Sequence, residues 1–195
     1  MDRLITNIYS ADLNGIDIDT LTRGKAVVRL YKDLLNYSNI VDALGKHKQM
    51  ILLFPTTSDT MGHWIAIMCN NKVITHFDSY GLSWKQELGY SHNAYTKQNL
   101  LGALYNKAMQ DGYRVDYNHQ RLQEMRSGIN TCGRWCAMRC RFSYLDSQEF
   151  AKLFIKQKES PDYLITILTF IALREDEKDE EQIVRQLQGK SITKP

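Results

Sequence analysis

Asn130-Thr131-Cys132-Gly133-Arg134-Trp135-Cys136 is the stretch around which the rest of this 195-residue chain can be arranged. A polar loop gives way here to an apolar run that ends at Phe142 and spaces its apolar residues for one buried helix face. The pattern therefore predicts a helix that begins near Cys132. Unpaired backbone N–H groups and the positive end of the dipole at a helix start favour a thiolate over a thiol. Cys132 is thus a candidate nucleophile.

Three cysteines, Cys132, Cys136 and Cys140, recur at every fourth position and would share one helix face. Such a face could indicate metal binding, but thiolate metal sites usually combine a closely spaced pair with a second pair elsewhere. The chain has only Cys69 besides these three. A cysteine on an apolar helix face is usually a small buried hydrophobic residue. We expect that of Cys136 and Cys140, and we expect no metal and no cofactor.

Composition predicts a single domain over residues 1–195, because 43% of the residues are hydrophobic and 24% are charged. No apolar run approaches the roughly 20 residues that a membrane helix needs. The N-terminus lacks a secretory signal pattern, so the four cysteines indicate free thiols in a reducing compartment. A net charge of +3 permits contact with nucleic acid but hardly argues for it.

The first third of the chain predicts an irregular leader over residues 1–20, with a turn at Asn14-Gly15. Apolar spacing between Leu21 and Leu44 predicts helix, with a possible break at residues 36–39. The continuous apolar run from Met50 to Phe54 predicts a buried central strand that Pro55 ends.

A β-hairpin is predicted next, from the strand-like runs 63–69 and 73–78, which residues 70–72 connect. A hairpin brings the start of its first strand close to the end of its second. His63 opens the first run and Asp78 ends the second, so we expect the two side chains at one edge of the sheet.

The remaining segments predict a helix from Tyr95 to about Gln110, a strand over residues 113–117 and a helix over residues 147–156. A further helix begins with Ser160 as cap and Pro161 in the first turn. The tail from about residue 174 is rich in charge and is read as a solvated helix or loose end. Strands and helices are segregated along the chain rather than alternating, which predicts the α+β class. We expect a small, mostly antiparallel sheet packed against the helix that carries Cys132.

Cysteine protease chemistry needs a nucleophile, a base, a group that orients the base, and donors for the oxyanion. Cys132, His63 and Asp78 are candidates for the first three roles. The backbone N–H of Cys132 and a nearby glutamine amide could hold the oxyanion. Each residue alone also has a structural interpretation: His63 as a hydrogen-bonded histidine of a strand, and Asp78 as a residue that forms a turn.

Taken together, Gly62-His63-Trp64, Phe77-Asp78-Ser79-Tyr80-Gly81, a glutamine and Thr131-Cys132-Gly133 resemble the group of cysteine proteases formed by the adenovirus maturation protease (adenain) and the SUMO-specific proteases. Within that group, Asn-Thr-Cys-Gly-Arg-Trp-Cys is most similar to maturation proteases of virophages and Maverick-type elements. The resemblance spans roughly residues 50–145 and implies a papain-related fold. It implies His63 as general base, Asp78 as its orienting group, Cys132 as nucleophile and a glutamine as oxyanion donor.

The glutamine of the resemblance does not match this sequence directly. In the family it stands six or seven residues before the cysteine, after an apolar residue. Gln123 is nine residues before Cys132 and Gln120 twelve before. Leu122 precedes Gln123, and the loop through Ser127-Gly128 could absorb the extra residues, so Gln123 is preferred and Gln120 is the alternative.

The resemblance implies a cysteine endopeptidase that processes viral capsid or core precursor proteins, in the virion and in the viral factory of the host-cell cytoplasm. It also implies a groove that favours small residues before the cut bond, and it makes DNA or an activating peptide possible partners. The same chemistry would serve an isopeptidase that removes ubiquitin or SUMO from host conjugates. A third interpretation is a non-catalytic virion or DNA-binding protein in which Cys132 is a core residue.

Overall fold

The computed structural model describes residues 13–91, 98–155 and 157–173 of the chain. Its single sheet contains five strands: β1 (Val27–Leu30), β2 (Gln49–Ser58), β3 (Met61–Asn70), β4 (Val73–Phe77) and β5 (Arg114–Tyr117). Its α-helices are α1 (Gly15–Thr22), α2 (Ile40–Ala43), α3 (Trp84–Glu87), α4 (Leu100–Gln110), α5 (Cys132–Arg141), α6 (Ser147–Ile155) and α7 (Pro161–Ala172). Short 3-10 helices follow β1 (Tyr31–Asn36) and α3 (Leu88–Tyr90).

The strands lie in chain order across the sheet. The three central strands β2, β3 and β4 pair antiparallel, and the outer strands β1 and β5 join them in parallel. Most of the paired positions are therefore antiparallel. Helix α5 packs on β3 and carries Cys132 as its first residue. The predicted α+β class, with a small sheet against the helix that carries Cys132, is confirmed.

The predicted hairpin is confirmed as β3 and β4. Asn70 pairs with Val73, and the two residues between them, Asn71 and Lys72, have φ angles of 46° and 61°. Two consecutive residues with positive φ form the type I′ turn whose twist matches that of the flanking strands. The pairing brings the beginning of β3 and the end of β4 to the same edge of the sheet.

Two apolar cores cover the two faces of the sheet. Alternate residues of β2 point to opposite faces, so Met50, Leu52 and Phe54 enter one core while Ile51 enters the other. Helices α1, α5, α6 and α7 cover the face of Ile51; the 3-10 helix Tyr31–Asn36 and helices α2 and α4 cover the opposite face. Burial on both faces explains why β2 has a continuous apolar sequence.

The helix predicted between Leu21 and Leu44 is wrong over residues 23–30, whereas the break predicted at residues 36–39 is confirmed between the 3-10 helix Tyr31–Asn36 and α2. Helix α1 ends at Thr22, followed by Arg23 and Gly24 with φ angles of 53° and 65°. The chain then forms β1, which pairs with β2, so the β-branched residues Val27 and Val28 act in a strand. Tertiary pairing has overridden a helical spacing of apolar residues.

Two further predictions need correction. Residues 15–22 form a helix rather than an irregular leader, with the Asn14 side chain accepting from the backbone N–H groups of Ile16 and Asp17. Pro55 does not end β2, which continues to Ser58 through a register shift between Pro55 and Ser58. A proline is tolerated at such an irregularity because no ladder hydrogen bond is required of it there.

The other predicted elements are confirmed where the structure describes them. They are helix α4, strand β5, helix α6, and helix α7, in which the Ser160 side chain accepts from the N–H of Tyr163. The start predicted for α4 at Tyr95 is wrong, because the helix begins at Leu100 with Asn99, at a φ of 52°, as its N-cap. Residues 1–12 and 92–97, Lys156 and the charged tail from 174 lie outside the described residues. In the described part of the chain, no helix is long and apolar enough to cross a membrane.

Gly62 leaves no room for a side chain at the start of β3. A Cβ built there would lie 1.9 Å from the backbone oxygen of Phe54. We expect Gly62→Ala to push β3 away from β2 beside His63 and to lower the free energy of unfolding by about 1–3 kcal/mol, the usual cost of overpacking. Urea denaturation measures this change.

Gly89→Ala is the matched control, because a Cβ at Gly89 meets no atom of the described residues within 4 Å. Equal denaturation midpoints for the two variants would contradict the expected clash.

Candidate active site

Three elements meet at the edge of the sheet where β3 begins and β4 ends. Strand β3 supplies His63, whose side chain is 13% exposed, and the residue after β4 is Asp78, whose side chain is fully buried. Helix α5 supplies Cys132 at its first position. The three residues singled out by the sequence therefore lie together, and all three line one cavity.

The ring of His63 connects the other two side chains. Its Nε2 lies 3.2 Å from Asp78 Oδ1, and its charge and hydrogen bonding lower the pKa of the Cys132 thiol, which lines the same cavity. Because Nε2 is used by the carboxylate, Nδ1 is the nitrogen left for the sulfur. The carboxylate fixes the orientation and the tautomer of the imidazole.

The ring of Tyr80 stacks on the ring of His63. The ring centroids are 4.9 Å apart with an angle of 21° between the planes, and the backbone N–H of Tyr80 donates to Asp78 Oδ1 at 2.5 Å. The face of an aromatic ring favours a cation, so this contact stabilises the charged form of His63.

Asn118 holds the backbone of Asp78. Its Oδ1 accepts from the Asp78 N–H at 2.9 Å, and its Nδ2 donates to the Asp78 carbonyl at 2.6 Å. The same carbonyl accepts from the N–H of Gly81, whose φ of 74° suits glycine in this turn. Sequence analysis missed Asn118, because its only signal is a polar residue directly after a strand.

Opposing effects set the charges of His63 and Cys132. Burial lowers the pKa of His63, but the charge and hydrogen bond of Asp78 together with Cys132 raise it well above the usual 6.5. Burial raises the pKa of the Cys132 thiol, but His63 and backbone hydrogen bonds of Trp64 and Gly133 bring it below its ordinary value. The arrangement therefore favours a thiolate beside an imidazolium.

The other three cysteines have a raised thiol pKa. All four are free thiols. Cys136 and Cys140 are buried in the core, as predicted, and burial raises the pKa of Cys136 well above its usual value and that of Cys140 to about 12. Burial also raises the pKa of Cys69. Of the four thiols, Cys132 is the one whose environment favours ionisation.

A buried carboxylate at the start of α7 holds the segment around Cys132. Asp162 accepts from Thr131 Oγ1 at 2.5 Å, from Trp135 Nε1 at 3.0 Å and from the backbone N–H of Glu124 at 2.8 Å. Both carboxylate oxygens thus accept hydrogen bonds. Oδ1 accepts from Trp135 of α5 and from Thr131 just before the helix, and Oδ2 accepts from Glu124 in the preceding loop. Sequence analysis did not find Asp162, which reads there only as an acidic residue in the first turn of a helix.

The structure separates the two candidate glutamines. Gln123 is buried and lines the cavity with Cys132, whereas Gln120 is exposed and lines a groove without Cys132. Gln123 Oε1 accepts from Ser79 Oγ at 2.7 Å, and its Nε2 donates to the Ile129 carbonyl at 3.1 Å. An amide carries two N–H donors, so the second one is a candidate donor to a ligand in the cavity.

Two cavities meet at Cys132. One, of about 430 Å³, contains His63 and Gln123; the other, of about 590 Å³, contains Trp64 and Gly133. They share a set of lining residues: Thr56, Thr57, Gly62, Asn130 and Cys132. Open space therefore lies on both sides of the sulfur, which suits an extended ligand that crosses it. Within residues 13–91, 98–155 and 157–173, no group of His, Cys, Asp and Glu side chains could hold a metal ion.

The charge pair can be tested by alkylation. Thiolate reacts and thiol does not, so we expect iodoacetamide to label Cys132 selectively at pH values below about 8.5, where ordinary thiols are mostly protonated. Asp78→Asn removes the charge that raises the pKa of His63. The imidazolium then loses its proton at lower pH, the pKa of Cys132 rises, and the midpoint of the labelling profile moves to higher pH. Peptide mass spectrometry assigns the label.

Equal labelling of all four cysteines, or an unchanged midpoint in Asp78→Asn, would contradict this electrostatic account. Asp111→Asn is the control for removal of one acidic charge, because Asp111 pairs with Lys107 on the exposed end of α4.

The chain was compared with known proteins. No family model matches it. Among solved structures, ChlaDub1 from Chlamydia trachomatis aligns over 94% of this chain and 91% of its own with 11% identity and a TM-score of 0.41, and no function follows from a likeness at that level. The uncharacterized protein V9 of Sputnik virophage is 31% identical over 170 residues, which cover 80% of this chain and 93% of V9. The chain therefore belongs to the same family as the V9 protein of Sputnik virophage.

Proposed function

We propose that this protein is a cysteine endopeptidase that processes viral capsid or core precursor proteins. The observation that carries the proposal is the meeting of Cys132, His63 and Asp78 in one cleft, with an ordered hydrogen bond between the last two. A buried carboxylate beside a histidine, which in turn contacts a thiol, is the arrangement that generates a nucleophilic thiolate. The three residues come from three different parts of the fold, so closeness in the sequence does not explain why they meet.

In the first half of the reaction, the Cys132 thiolate attacks the carbonyl carbon of the peptide bond. The backbone N–H of Cys132 and the side-chain amide of Gln123 donate to the oxyanion. The protonated His63 then gives its proton to the leaving amine as the carbon–nitrogen bond breaks. The products of this half are the released amine and a thioester on Cys132.

In the second half, neutral His63 takes a proton from water, and the hydroxide formed attacks the thioester. The carbon–sulfur bond breaks, the acid product leaves, and the proton on His63 restores the ion pair with Cys132. Asp78 keeps the ring in place and stabilises its positive charge throughout, and does not itself need to accept a proton.

The open space on both sides of Cys132 supports an endopeptidase rather than an enzyme limited to chain ends. Thr56 and Thr57, at the end of β2, line both cavities and would lie along a substrate that spans them. Membership of a family that includes a virophage protein supports viral proteins as substrates, since a small virus must process its own precursors with enzymes that it encodes or borrows.

Cys132→Ala tests the function directly. We expect the variant to fold and to lose cleavage of the co-expressed capsid precursor, because no nucleophile remains. Cys69→Ala is the matched control, since Cys69 is another partly exposed thiol and lies outside both cavities. Sequencing of the product termini measures the cut.

Persistence of the cut in Cys132→Ala would refute the proposal. A wild type that reacts with ubiquitin or SUMO vinyl-sulfone probes but leaves the precursor intact would favour an isopeptidase.

The role of Gln123 has its own test. We expect Gln123→Ala to lower kcat by about 100- to 1,000-fold, the usual effect of removing one oxyanion donor. The alkylation rate of Cys132 should change little, because an oxyanion donor acts only after the thiolate has attacked. Gln120→Ala is the matched control and should keep both rates. A kcat unchanged in Gln123→Ala, or lowered equally in Gln120→Ala, would assign the donor elsewhere.

A further inference from the structure

Next to Asp78 lies a row of buried polar side chains that the chemistry above does not use, and one of them, Glu87, also lines the cavity of about 430 Å³. Glu87 Oε1 lies 2.9 Å from His76 Nε2, and His76 Nδ1 lies 3.0 Å from the hydroxyl of Tyr105. Glu87 is 2% exposed, and His76 and Tyr105 are fully buried. Strand β4, helix α3 and helix α4 each contribute one of these residues.

Two oxygen atoms in this row lack an ordinary donor. Asp78 Oδ2 and Glu87 Oε2 are both buried, and no N–H or O–H group of the described residues is bonded to either. The two carboxyl groups influence each other, since Asp78 raises the pKa of Glu87 and Glu87 lowers that of Asp78. Two ionised carboxylates in this position would repel and would leave two buried acceptors unsatisfied. A single proton between them removes both costs.

One placement of protons satisfies the whole row. The Tyr105 hydroxyl donates to His76 Nδ1, His76 Nε2–H donates to Glu87 Oε1, and Glu87 Oε2–H donates to Asp78 Oδ2. Asp78 Oδ1 remains free to accept from His63 Nε2–H. Every donor then has an acceptor, and the only negative charge stays on Asp78, next to His63. If Glu87 were ionised, Asp78 Oδ2 would have no donor among the described residues.

We propose that Glu87 is a protonated positioning residue, whose carboxylic acid donates a hydrogen bond to Asp78 and thereby holds the carboxylate that orients His63. His76 and Tyr105 in turn hold Glu87. A bond to Oδ2 fixes the rotation of the Asp78 carboxylate, so that its other oxygen stays directed at the imidazole of His63. Although Glu87 lines the cavity, it is only 2% exposed, so its proposed role is exerted through Asp78.

The environment of Glu87 agrees with a neutral acid. Burial raises the pKa of Glu87, His76 lowers it and Asp78 raises it, with a result of about 7. Tyr105 and Tyr31 are the other titratable groups near this cluster, and burial raises the pKa of both, so they stay neutral.

The effect on activity rests on the proposed function, so the test includes measurements that do not need a substrate. The full chain is made with Glu87→Gln and with Glu87→Met. The glutamine keeps an N–H donor for Asp78 and an acceptor for His76, while the methionine keeps a similar size and loses both. For each protein we measure the thermal midpoint, the alkylation rate of Cys132, and kcat and KM on the precursor.

We expect Glu87→Met to lower kcat and the alkylation rate by about 10- to 100-fold, as misplacement of a catalytic group does, with little change in KM. Glu87→Gln should stay within about threefold of the wild type, because its amide replaces the donor. Infrared spectra at a pH of about 6, where exposed carboxyls are ionised, should contain the carbonyl band of a protonated carboxyl in the wild type and lack it in Glu87→Gln.

Equal kcat and alkylation rates in Glu87→Met and Glu87→Gln would overturn the proposal, as would a wild-type spectrum without the protonated-carboxyl band. If Glu87→Met does not fold, the infrared comparison and the rates of Glu87→Gln decide. Failure of the proposed function would appear instead as precursor cleavage that persists in Cys132→Ala, and the alkylation and infrared results would still stand.

Discussion

The antiparallel pairing of β3 with β4 is the constraint on which the site depends. The two-residue turn at Asn71 and Lys72 fixes the register, and a slip by one position would send His63 to the other face of the sheet. In the observed register, His63 lies on the same face as Ile65, and Asp78 continues the face of His76. The two groups are thus brought together by strand geometry before any side-chain interaction forms.

Helix α5 reaches this pair from the other side of the sheet. Its core residues pack on the face opposite to His63, with Trp64 lying against Gly133. A Cβ at Gly133 would lie 3.2 Å from the Trp64 ring, so glycine permits the close approach of helix and strand. Cys132 is the first residue of the helix and lines the cavity with His63 and Asp78. The cleft is therefore formed where the two layers meet, and Asp162 holds the helix start on one side while Glu87 supports Asp78 on the other.

The sequence predicted the parts of the site that follow from local patterns. The hairpin could be predicted because two strand-like runs flank a turn, and the start of α5 because a polar loop precedes a helical spacing. The segment between Leu21 and Leu44 could not, because its apolar residues suit both a helix and β1, and only the partner strand β2 decides. The resemblance favours Gln123 over Gln120, although neither stands at the family's distance from the cysteine. In the structure Gln123 is buried and Gln120 is exposed.

Asn118, Asp162 and Glu87 share a reason for being missed. Each of them contacts a residue that is distant in the sequence, or reaches it through a turn that the sequence does not determine. Each is also an amino-acid type that is common on protein surfaces. A buried carboxylate is costly unless it is neutral or fully hydrogen-bonded. Asp162 meets this condition with three donors, whereas Glu87 Oε2 has no donor among the described residues, so a proton on Glu87 would meet it. A short helix such as α3 gains little stability from burying an acid, so the position of Glu87 is better explained by its contact with Asp78 than by folding.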